Sequence, residues 1–249
     1  ESGELASGLS GEGRMAEPEN IIQFVENDLE SKLPLKGKKV LITAGPTYEA
    51  IDPVRFIGNH SSGKMGFDIA NEAANKGANV ILVSGPTHLK VKNSSIELIR
   101  VRSAQEMYDV CLECYNGVDV AIAAAAVADY RPKNVASQKI KKNEATFSIE
   151  LEKTKDILAA LGEQKKNQFL IGFALETENE IEHAKQKIQK KNLDLIVLNS
   201  LNDVGAGFGS PTNKVTFISK DFSIEPKELK SKEEVAQDII NKVIQFYDA

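Results

Sequence analysis

The chain has 249 residues, a formal net charge of −5 at pH 7, and 41% hydrophobic residues. This length suits one large domain or two small ones, and the hydrophobic content can supply a packed core. The acidic balance argues against a nucleic-acid-binding protein, which usually presents a basic surface. No apolar run reaches the roughly 18 residues of a membrane span, and no signal peptide is visible.

The two cysteines, Cys111 and Cys114, form a C-x2-C pair. A metal site needs more ligands than these two, and neither a second cysteine pair nor a histidine pair lies nearby. Because the spacing falls within a helical pattern, we expect these residues to pack rather than to perform redox chemistry. The cysteine usage fits a reducing compartment, so we expect a cytoplasmic protein without membrane or nucleic-acid partners.

The first part of the chain differs from the rest in its pattern. A Gly- and Ser-rich segment covers residues 2–13 without any periodicity, and residues 19–30 then place apolar side chains at helical spacing. A Lys-rich linker with one proline follows. We therefore divide the chain into residues 1–36, which precede the domain, and residues 37–249, which form it.

Apolar runs and amphipathic stretches alternate from Lys39 onward. This alternation predicts an α/β fold, a Rossmann-like doubly wound, mostly parallel sheet with helices on both faces. Weak alternation at 147–151 and a hairpin-like stretch at 215–224 predict a small antiparallel addition. The predicted strands are 40–43, 79–83, 119–126, 169–174 and 193–198, and the predicted helices are 67–76, 103–115, 178–191 and 231–247.

Ligands of such sheets bind outside the carboxyl ends of the strands, and several unusual segments follow predicted strands. The segment from Thr43 to Thr47 follows the first strand. Gly45 would let the backbone approach a ligand closely, and the Thr47 hydroxyl is a possible donor. An ordinary turn between a strand and a helix explains the same residues equally well.

The segment from Gly58 to Gly66 opens a helix, where free amides and the helix dipole favour anions. It nearly matches the P-loop pattern G-x-x-x-x-G-K-[ST], but Met65 stands where a hydroxyl should meet magnesium. No clear strand precedes Gly58 either. A loop that is merely rich in capping residues is the structural alternative. The candidate phosphate-binding residues are Ser61, Ser62, Gly63 and Lys64.

The small residues from Ala123 onward would let a flat ligand lie against the backbone. Asp129, after this strand, could hold a metal–phosphate complex or a ribose. The lysines of residues 138–142 could close over a phosphorylated substrate and neutralise its charge. A packed strand with a solvated aspartate, followed by a solvated charge run, is the alternative.

Lys187 and Lys191 are spaced i, i+4 on one helix face, where like charges repel unless an anion is bound. Surface solubility explains the pair equally well. Phe173 could present its ring to a base or could belong to the core. The histidines His60, His88 and His183 form neither a catalytic triad nor a metal-ligand spacing, so hydrolase and zinc-enzyme functions are disfavoured.

Together these segments resemble the bacterial phosphopantothenoylcysteine synthetase family, the C-terminal half of a bifunctional protein of coenzyme A biosynthesis. The resemblance covers roughly residues 37–249 in the same order along the chain. It is carried by the sequences of residues 43–47, 52–66, 124–131, 139–142, 172–177 and 191–194.

The resemblance implies a ligase. CTP would activate 4′-phosphopantothenate as an acyl-cytidylate with release of pyrophosphate, and the amine of L-cysteine would then displace CMP. Mg²⁺ is expected because it offsets the charge on the leaving pyrophosphate. The family also implies a homodimer, and a higher oligomer in the full-length bifunctional protein. CTP rests on resemblance to the bacterial branch, since another branch uses ATP.

Resemblance also implies roles for individual residues. Asn59 would contact the acyl-cytidylate, and Lys139 would support the first half-reaction. The expected substrate-binding residues are Arg55, Asn59, Ser61, Ser62, Gly63 and Lys64. The expected nucleotide-binding residues, including two from the turn after the first strand, are Gly45, Thr47, Ala123, Ala124, Ala125, Asp129, Lys139, Lys155, Asp156, Ile157, Leu158, Phe173, Lys187 and Lys191. Asp129 would reach the metal, which the triphosphate would mainly hold.

Residues 6–18 resemble the last motif of the flavin-dependent decarboxylase that precedes the synthetase in this family. Ser7 stands where that family has a catalytic cysteine. We therefore predict no decarboxylase (lyase) activity in this chain, and we expect FMN only in the preceding flavoprotein domain. Two other functions remain open from the residues: a P-loop-like nucleotide hydrolase, and a nicotinamide-dependent reductase, which would lack G-x-G-x-x-G after the first strand.

Overall fold

The computed structural model describes residues 2–4, 7, 9–12, 15–141, 146–176, 178–200 and 210–248. Of the residues that the sequence singled out, Lys142 and Thr177 lie outside this described part, as does much of the N-terminal motif.

Strands and helices alternate through most of the described chain. The strands are β1 (Ser2–Glu4), β2 (Ser10–Glu12), β3 (Lys39–Ala44), β4 (Tyr48–Ala50), β5 (Phe56–Gly58), β6 (Asn79–Ser84), β7 (Ile96–Arg100), β8 (Val120–Ala123), β9 (Tyr130–Pro132), β10 (Leu151–Lys153), β11 (Phe169–Glu176), β12 (Leu195–Ser200), β13 (Thr212–Asn213), β14 (Val215–Ser219), β15 (Ile224–Pro226) and β16 (Lys230–Ser231). The helices are α1 (Pro18–Ser31), α2 (Lys64–Asn75), α3 (Ala104–Tyr115), α4 (Ile157–Gln164), α5 (Glu180–Lys190) and α6 (Lys232–Asp248).

The main sheet has eight strands in the order β15-β14-β12-β11-β8-β3-β6-β7. The six strands from β12 to β7 are parallel, and β14 and β15 add an antiparallel edge beside β12. From β3 the chain adds β6 and β7 on one side. It then returns to add β8, β11 and β12 on the other side. This doubly wound order confirms the predicted fold and places its switch point between β3 and β8.

Helices cover both faces of this sheet because the side chains of each buried strand alternate between them. Val40 and Ile42 of β3 join the core cluster beneath α2 and α6. Leu41, between them, joins the second cluster beneath α3, α4 and α5. Since both faces are buried, the central strands are almost uniformly apolar, which is the pattern that the sequence displayed.

Several boundaries differ from the predictions, three of them by three residues or more. The predicted strand at 119–126 ends at Ala123, because the following amides bond to side chains and to the turn after β3 instead of to a neighbouring strand. Helix α2 begins at Lys64, three residues before its predicted start. Strand β10 begins only at Leu151, where the predicted alternation at 147–151 ends, and it pairs with β9.

Among the strands of the main sheet and the helices that cover it, two were not predicted, β7 and α4. Strand β7 lies at the edge of the sheet and has one fully buried end and exposed charged residues, so it lacks a continuous apolar run. Helix α4 is only eight residues long. Such a short element carries little periodic signal.

Helix α1 confirms the helical prediction for residues 19–30, but none of its residues is buried. Its apolar side chains, such as Phe24 and Leu29, are exposed. None of the helices in the described part of the chain has both the length and the hydropathy needed to cross a membrane.

Both cysteines are free thiols on α3. Cys111 belongs to the core beneath α3, and burial raises its pKa to about 12. This agrees with the packing role that the sequence predicted, because a thiol with so high a pKa is a poor nucleophile.

Candidate functional site

The larger of two neighbouring cavities, which we call the lysine cavity, lies at the carboxyl ends of β3, β8 and β11. It has a volume of about 690 Å³. This position is the switch point of the sheet, where doubly wound folds bind their ligands. Its lining residues are Thr43, Asn59, Ala123, Ala125, Ala126, Val127, Asp129, Tyr130, Lys153, Thr154, Lys155, Asp156, Ile157, Leu158, Phe173, Leu175, Lys187 and Lys191.

One wall of the lysine cavity is the loop of small residues after β8. Its amides are fixed by the end of β3 and the turn that follows: the Ala125 amide donates to Thr43 Oγ1 (3.1 Å), and the Ala128 amide donates to Thr47 Oγ1 (3.0 Å). The Ala126 amide donates to the carbonyl of Gly45 (2.9 Å). These bonds hold the loop in place without a regular strand, so that its short side chains form a smooth wall.

The same bonds correct two predictions. Gly45 and Thr47 were expected to contact the nucleotide, but both are buried. The Thr47 hydroxyl is occupied by the Ala128 amide, and Gly45 turns the chain with a φ of 77°. Both residues therefore support the wall of the cavity and do not face it.

The opposite wall carries the positive charge, and two of its lysines are held by carboxylates. Lys187 lies 2.5 Å from Glu176, and Lys191 lies 2.8 Å from Asp156. Asp156 also caps α4 by accepting from the Ala159 amide (2.9 Å). Burial alone would raise the pKa of Asp156, but the Lys191 ammonium and this amide hold the pKa below its usual value. The lysines are thus positioned before any anion binds.

Asn59 reaches the lysine cavity from the loop after β5. Its Nδ2 donates to the carbonyls of Ala126 and Val127, at 3.0 Å each. Because carbonyls can only accept, these two bonds determine which way the amide points. Its Oδ1 accepts no hydrogen bond from the described residues, so it is left as an acceptor for a ligand.

The sequence suggested Asp129 as a metal contact. Its side chain is exposed in the lysine cavity. No cluster of three histidine, cysteine or acidic residues suited to a metal occurs within the described ranges. Magnesium is commonly held by one or two carboxylates together with substrate phosphates, so a larger cluster is not required, and the metal role of Asp129 stays a prediction.

The second cavity, which we call the helix cavity, has a volume of about 170 Å³ and lies at the start of α2. Four of its residues, Ala125, Ala126, Phe173 and Leu175, also line the lysine cavity. The two cavities therefore adjoin across the ends of β8 and β11. The remaining residues of the helix cavity are Ser61, Ser62, Gly63, Lys64, Met65, Gly66, Ala124, Ala174, Asn199, Asn213 and Lys232.

Arg55 lies outside both cavities and forms part of an anchor. Its guanidinium bonds to Asp52 Oδ2 through Nε (3.0 Å) and through a terminal nitrogen (2.5 Å), and it also donates to the Ile140 carbonyl (3.0 Å). Asp52 in turn accepts from the Ile140 amide (3.1 Å). This network ties the loop before β5 to the loop that contains Lys139 and Ile140. Lys139 itself is exposed and lines neither cavity.

The structure thus brings together most of the residues that the sequence suggested. Ten of the expected nucleotide-binding residues and Asn59 line the lysine cavity, while Ala124 and the four candidates from Ser61 to Lys64 line the helix cavity. The sequence did not identify Glu176, which pairs with Lys187, or three residues that line the helix cavity, Asn199, Asn213 and Lys232. Glu176 lies within the motif at residues 172–177, but nothing in the sequence distinguished the other three.

Residues 35–247 match the family described as the DNA/pantothenate metabolism flavoprotein C-terminal domain. The chain belongs to this family. The predicted resemblance is confirmed, because this domain is the synthetase half of the bifunctional protein.

Two curated relatives and one solved structure illustrate the similarity. The chain is 47% identical to the coenzyme A biosynthesis bifunctional protein CoaBC of Bacillus subtilis over 97% of its own length and 60% of the relative's. It is 53% identical to a protein of an unknown prokaryote named cysteine/cysteine sulfinic acid decarboxylase, over 98% of its own length and 69% of the relative's. A crystal structure of the C-terminal domain of CoaBC superimposes with a TM-score of 0.75 and 46% identity, covering 87% of this chain and 99% of that one. The chain thus spans about three fifths of the length of the Bacillus protein.

The anchor at Asp52 should make stability depend on pH in a defined window. Hydrogen bonds from Arg55 hold the pKa of Asp52 well below its usual 3.8, against the effect of burial, and backbone amides lower it further. Since the folded-state pKa is the lower one, the stabilisation is present above pH 3.8 and is lost as the pH falls through the folded-state value.

Asp52→Asn should therefore lower the melting temperature by a constant amount near neutral pH, and by less as the pH falls below about 4. Circular dichroism melts of both proteins between about pH 3 and pH 8 measure this difference. A difference that stays constant down to the lowest pH would contradict the anchoring role of the carboxylate.

Proposed function

We propose that this chain catalyses the CTP-dependent, Mg²⁺-dependent ligation of 4′-phosphopantothenate and L-cysteine in coenzyme A biosynthesis. The product would be 4′-phosphopantothenoylcysteine, with CMP and pyrophosphate released. One observation carries the proposal: two cavities that each contain lysines adjoin and share the wall formed by Ala125, Ala126, Phe173 and Leu175. A reaction that joins two phosphorylated substrates needs two anion sites within reach of one reacting centre.

The lysine cavity suits the nucleotide. Its volume of about 690 Å³ and its wall of alanines leave space for a base and ribose, and Lys155, Lys187 and Lys191 supply the charge for a triphosphate. The smaller helix cavity suits the phosphorylated acid. Membership of a family whose relatives are named for coenzyme A biosynthesis supports the same assignment.

The chemistry would proceed in two half-reactions. In the first, a carboxylate oxygen of 4′-phosphopantothenate attacks the α-phosphorus of CTP, a new O–P bond forms, and pyrophosphate leaves. In the second, the amine nitrogen of cysteine attacks the acyl carbon, the C–N bond forms, and CMP leaves while the amine loses a proton. Bound Mg²⁺ would offset negative charge on the triphosphate, and Asp129 is the residue that would hold it.

The lysines would stabilise charge in the first half-reaction. Lys187 and Lys191 face the lysine cavity from one side of α5 and are already oriented by Glu176 and Asp156. Pre-positioned cations of this kind stabilise developing charge without a reorganisation cost. Lys139 would add to them when its loop approaches the phosphates, which is the role that family resemblance implies.

Asn59 would act mainly in the second half-reaction. Its Nδ2 is occupied by the carbonyls of Ala126 and Val127, so only Oδ1 is available to a ligand. An amide oxygen can accept a hydrogen bond from an N–H of the incoming cysteine amine. This interaction would hold the nitrogen beside the acyl carbon of the intermediate.

The remaining parts of the proposal concern the whole protein. We propose a cytoplasmic homodimer that acts on small molecules and not on nucleic acid or membranes. In the longer protein it would follow an FMN-dependent decarboxylase domain and form a higher oligomer.

The proposed activity is tested by measuring pyrophosphate release with 4′-phosphopantothenate, L-cysteine and Mg²⁺ and either CTP or ATP. We expect release with CTP that requires the acid, and little release with ATP. Release of inorganic phosphate without the acid would instead indicate a nucleotide hydrolase. No release of pyrophosphate with either nucleotide would refute the proposal.

Lys191→Met should raise the KM for CTP, because it removes a charged partner of the triphosphate. A charge-assisted hydrogen bond of about 1.5–3 kcal/mol corresponds to roughly a 10- to 100-fold increase. Lys190→Met is the matched control: it makes the same change on the neighbouring residue, which lies outside the lysine cavity. Equal effects of the two variants on the KM for CTP would show that the role of Lys191 is not local.

Asn59→Ala should slow the second half-reaction more than the first. Rapid-quench experiments with radiolabelled CTP would follow both steps, and we expect the acyl-cytidylate to accumulate in the variant. The rate of pyrophosphate release in the absence of cysteine should change less. A variant that forms the intermediate slowly and consumes it at the wild-type rate would contradict this role.

A further inference from the structure

Lys155 differs from Lys187 and Lys191 in the partner that holds its side chain. The other two lysines pair with carboxylates, which offset part of their charge before any ligand binds. The Lys155 ammonium instead lies over the ring of Tyr108, with 4.7 Å between Nζ and the ring centroid. Among the described residues, Lys155 forms no ion pair with a carboxylate. It therefore presents its full positive charge to the lysine cavity.

The backbone on both sides of Lys155 is fixed. Before it, the Thr154 amide donates to the Asp129 carbonyl (3.0 Å), and after it, Asp156 caps α4. The Lys155 side chain is exposed and lines the lysine cavity, and its flexible stem gains nothing from these backbone bonds. The ring of Tyr108 is the contact that favours one position for the ammonium.

Tyr108 is itself firmly placed on α3. Its ring is partly buried and packs against the core cluster beneath α3, α4 and α5. Helix α3 also packs against α4, which begins two residues after Lys155, so the ring and the lysine belong to one packed unit. Tyr108 lines neither cavity. It would therefore act on a ligand only through Lys155.

A ring holds an ammonium without neutralising it. The face of a tyrosine attracts a cation through its quadrupole but carries no net charge. A carboxylate competes with an incoming phosphate for the same lysine, whereas an ammonium with several N–H donors can bond to a phosphate while one side of it stays over a ring. The two carboxylate-paired lysines must exchange partners when a triphosphate binds. Lys155 can bind the triphosphate and keep its contact with Tyr108.

We propose that Tyr108 is a positioning residue, which holds Lys155 ready for the triphosphate of the nucleotide with its charge uncompensated. The inference rests on the proposed function and adds to it a residue outside both cavities. In the free protein the ring restricts the ammonium, so less side-chain freedom is lost when the nucleotide binds. In the complex, the ring and a phosphate oxygen contact the same ammonium.

The first test measures the affinity for magnesium-bound CTP by isothermal titration calorimetry, without the acid or cysteine. Tyr108→Leu removes the ring and should weaken binding roughly 2- to 5-fold, which is the size of a cation–ring attraction at an exposed site. Tyr108→Phe keeps the ring and should bind like the wild type. Tyr247→Leu is the control, because that ring holds Lys38 (3.9 Å) and lines neither cavity. Equal losses in Tyr108→Leu and Tyr108→Phe, or in Tyr108→Leu and the control, would overturn the proposal.

A double-mutant cycle tests whether Tyr108 acts through Lys155. Lys155→Met alone should weaken binding of magnesium-bound CTP roughly 10- to 100-fold, because a charged partner of the triphosphate is lost. Adding Tyr108→Leu to Lys155→Met should then cause no further loss, and thermal melting checks that each variant is folded. An equal effect of Tyr108→Leu with and without the lysine would show a general effect on α3 and would overturn the proposal.

The same variants separate this inference from the proposed ligase. In steady-state assays Tyr108→Leu should raise the KM for CTP, while kcat and the KM for 4′-phosphopantothenate stay unchanged. The expected binding results without any pyrophosphate release would refute only the ligase. Pyrophosphate release with the same CTP affinity in the wild type and Tyr108→Leu would refute only the role of Tyr108. A wild type that does not bind CTP would refute both.

Discussion

A close backbone contact between the first turn of α2 and the end of β3 determines where both cavities lie. A Cβ on Gly66 would lie 2.5 Å from the Ala44 Cβ, and a Cβ on Gly63 would lie 3.2 Å from the Gly45 Cα. A side chain at Gly66 would push the helix away from the sheet, and one at Gly63 would crowd Gly45 and be strained by the φ of 82° at that position. Glycine therefore allows the N-terminal amides of α2 to reach the carboxyl edge of the sheet.

This contact explains why the site is divided into two cavities. The start of α2 fills the space above β3, so the helix cavity lies on its side of the strand ends and the lysine cavity lies on the side of α4 and α5. The loop after β8, fixed by Thr43 and Thr47, separates them with small side chains. On the proposed function, the residues that look like a phosphate loop in sequence thus serve a substrate site beside the nucleotide and not the P-loop of a hydrolase.

Much of this arrangement could be predicted from the sequence, because its signals are local. Buried parallel strands appear as apolar runs, and the glycine-rich segment at residues 58–66 indicates the start of a helix. What could not be predicted depends on distant parts of the chain. Lys232 follows a short strand, β16, and looks like an ordinary residue of the first turn of an amphipathic helix. Only the packing of α6 against α2 buries it beside Lys64.

The same limit explains the errors at Gly45 and Thr47. A glycine and a hydroxyl after a strand suit a ligand and a supported loop equally well, and the choice depends on whether another backbone segment lies above them. Here the loop after β8 lies above them, and its amides donate hydrogen bonds to the Thr47 hydroxyl and the Gly45 carbonyl. The residues after β8 were assigned to a strand for a similar reason. Their apolar side chains suit a strand, but the Ala125 amide donates to the Thr43 hydroxyl and the Ala126 amide to the Gly45 carbonyl.

The carboxylates that hold the lysines also bear on the form in which the nucleotide would bind. The pairs Lys187–Glu176 and Lys191–Asp156 are partly exposed, so each contributes only about 0–1 kcal/mol. A triphosphate can therefore take over both lysines at little cost. It would then lie beside Glu176 and Asp156, which would have lost their lysine partners, and beside Asp129. Repulsion between these carboxylates and a free triphosphate would weaken binding, whereas a complex with magnesium carries less negative charge. On the proposed function, the charge pattern of the lysine cavity therefore favours magnesium-bound CTP over the free nucleotide.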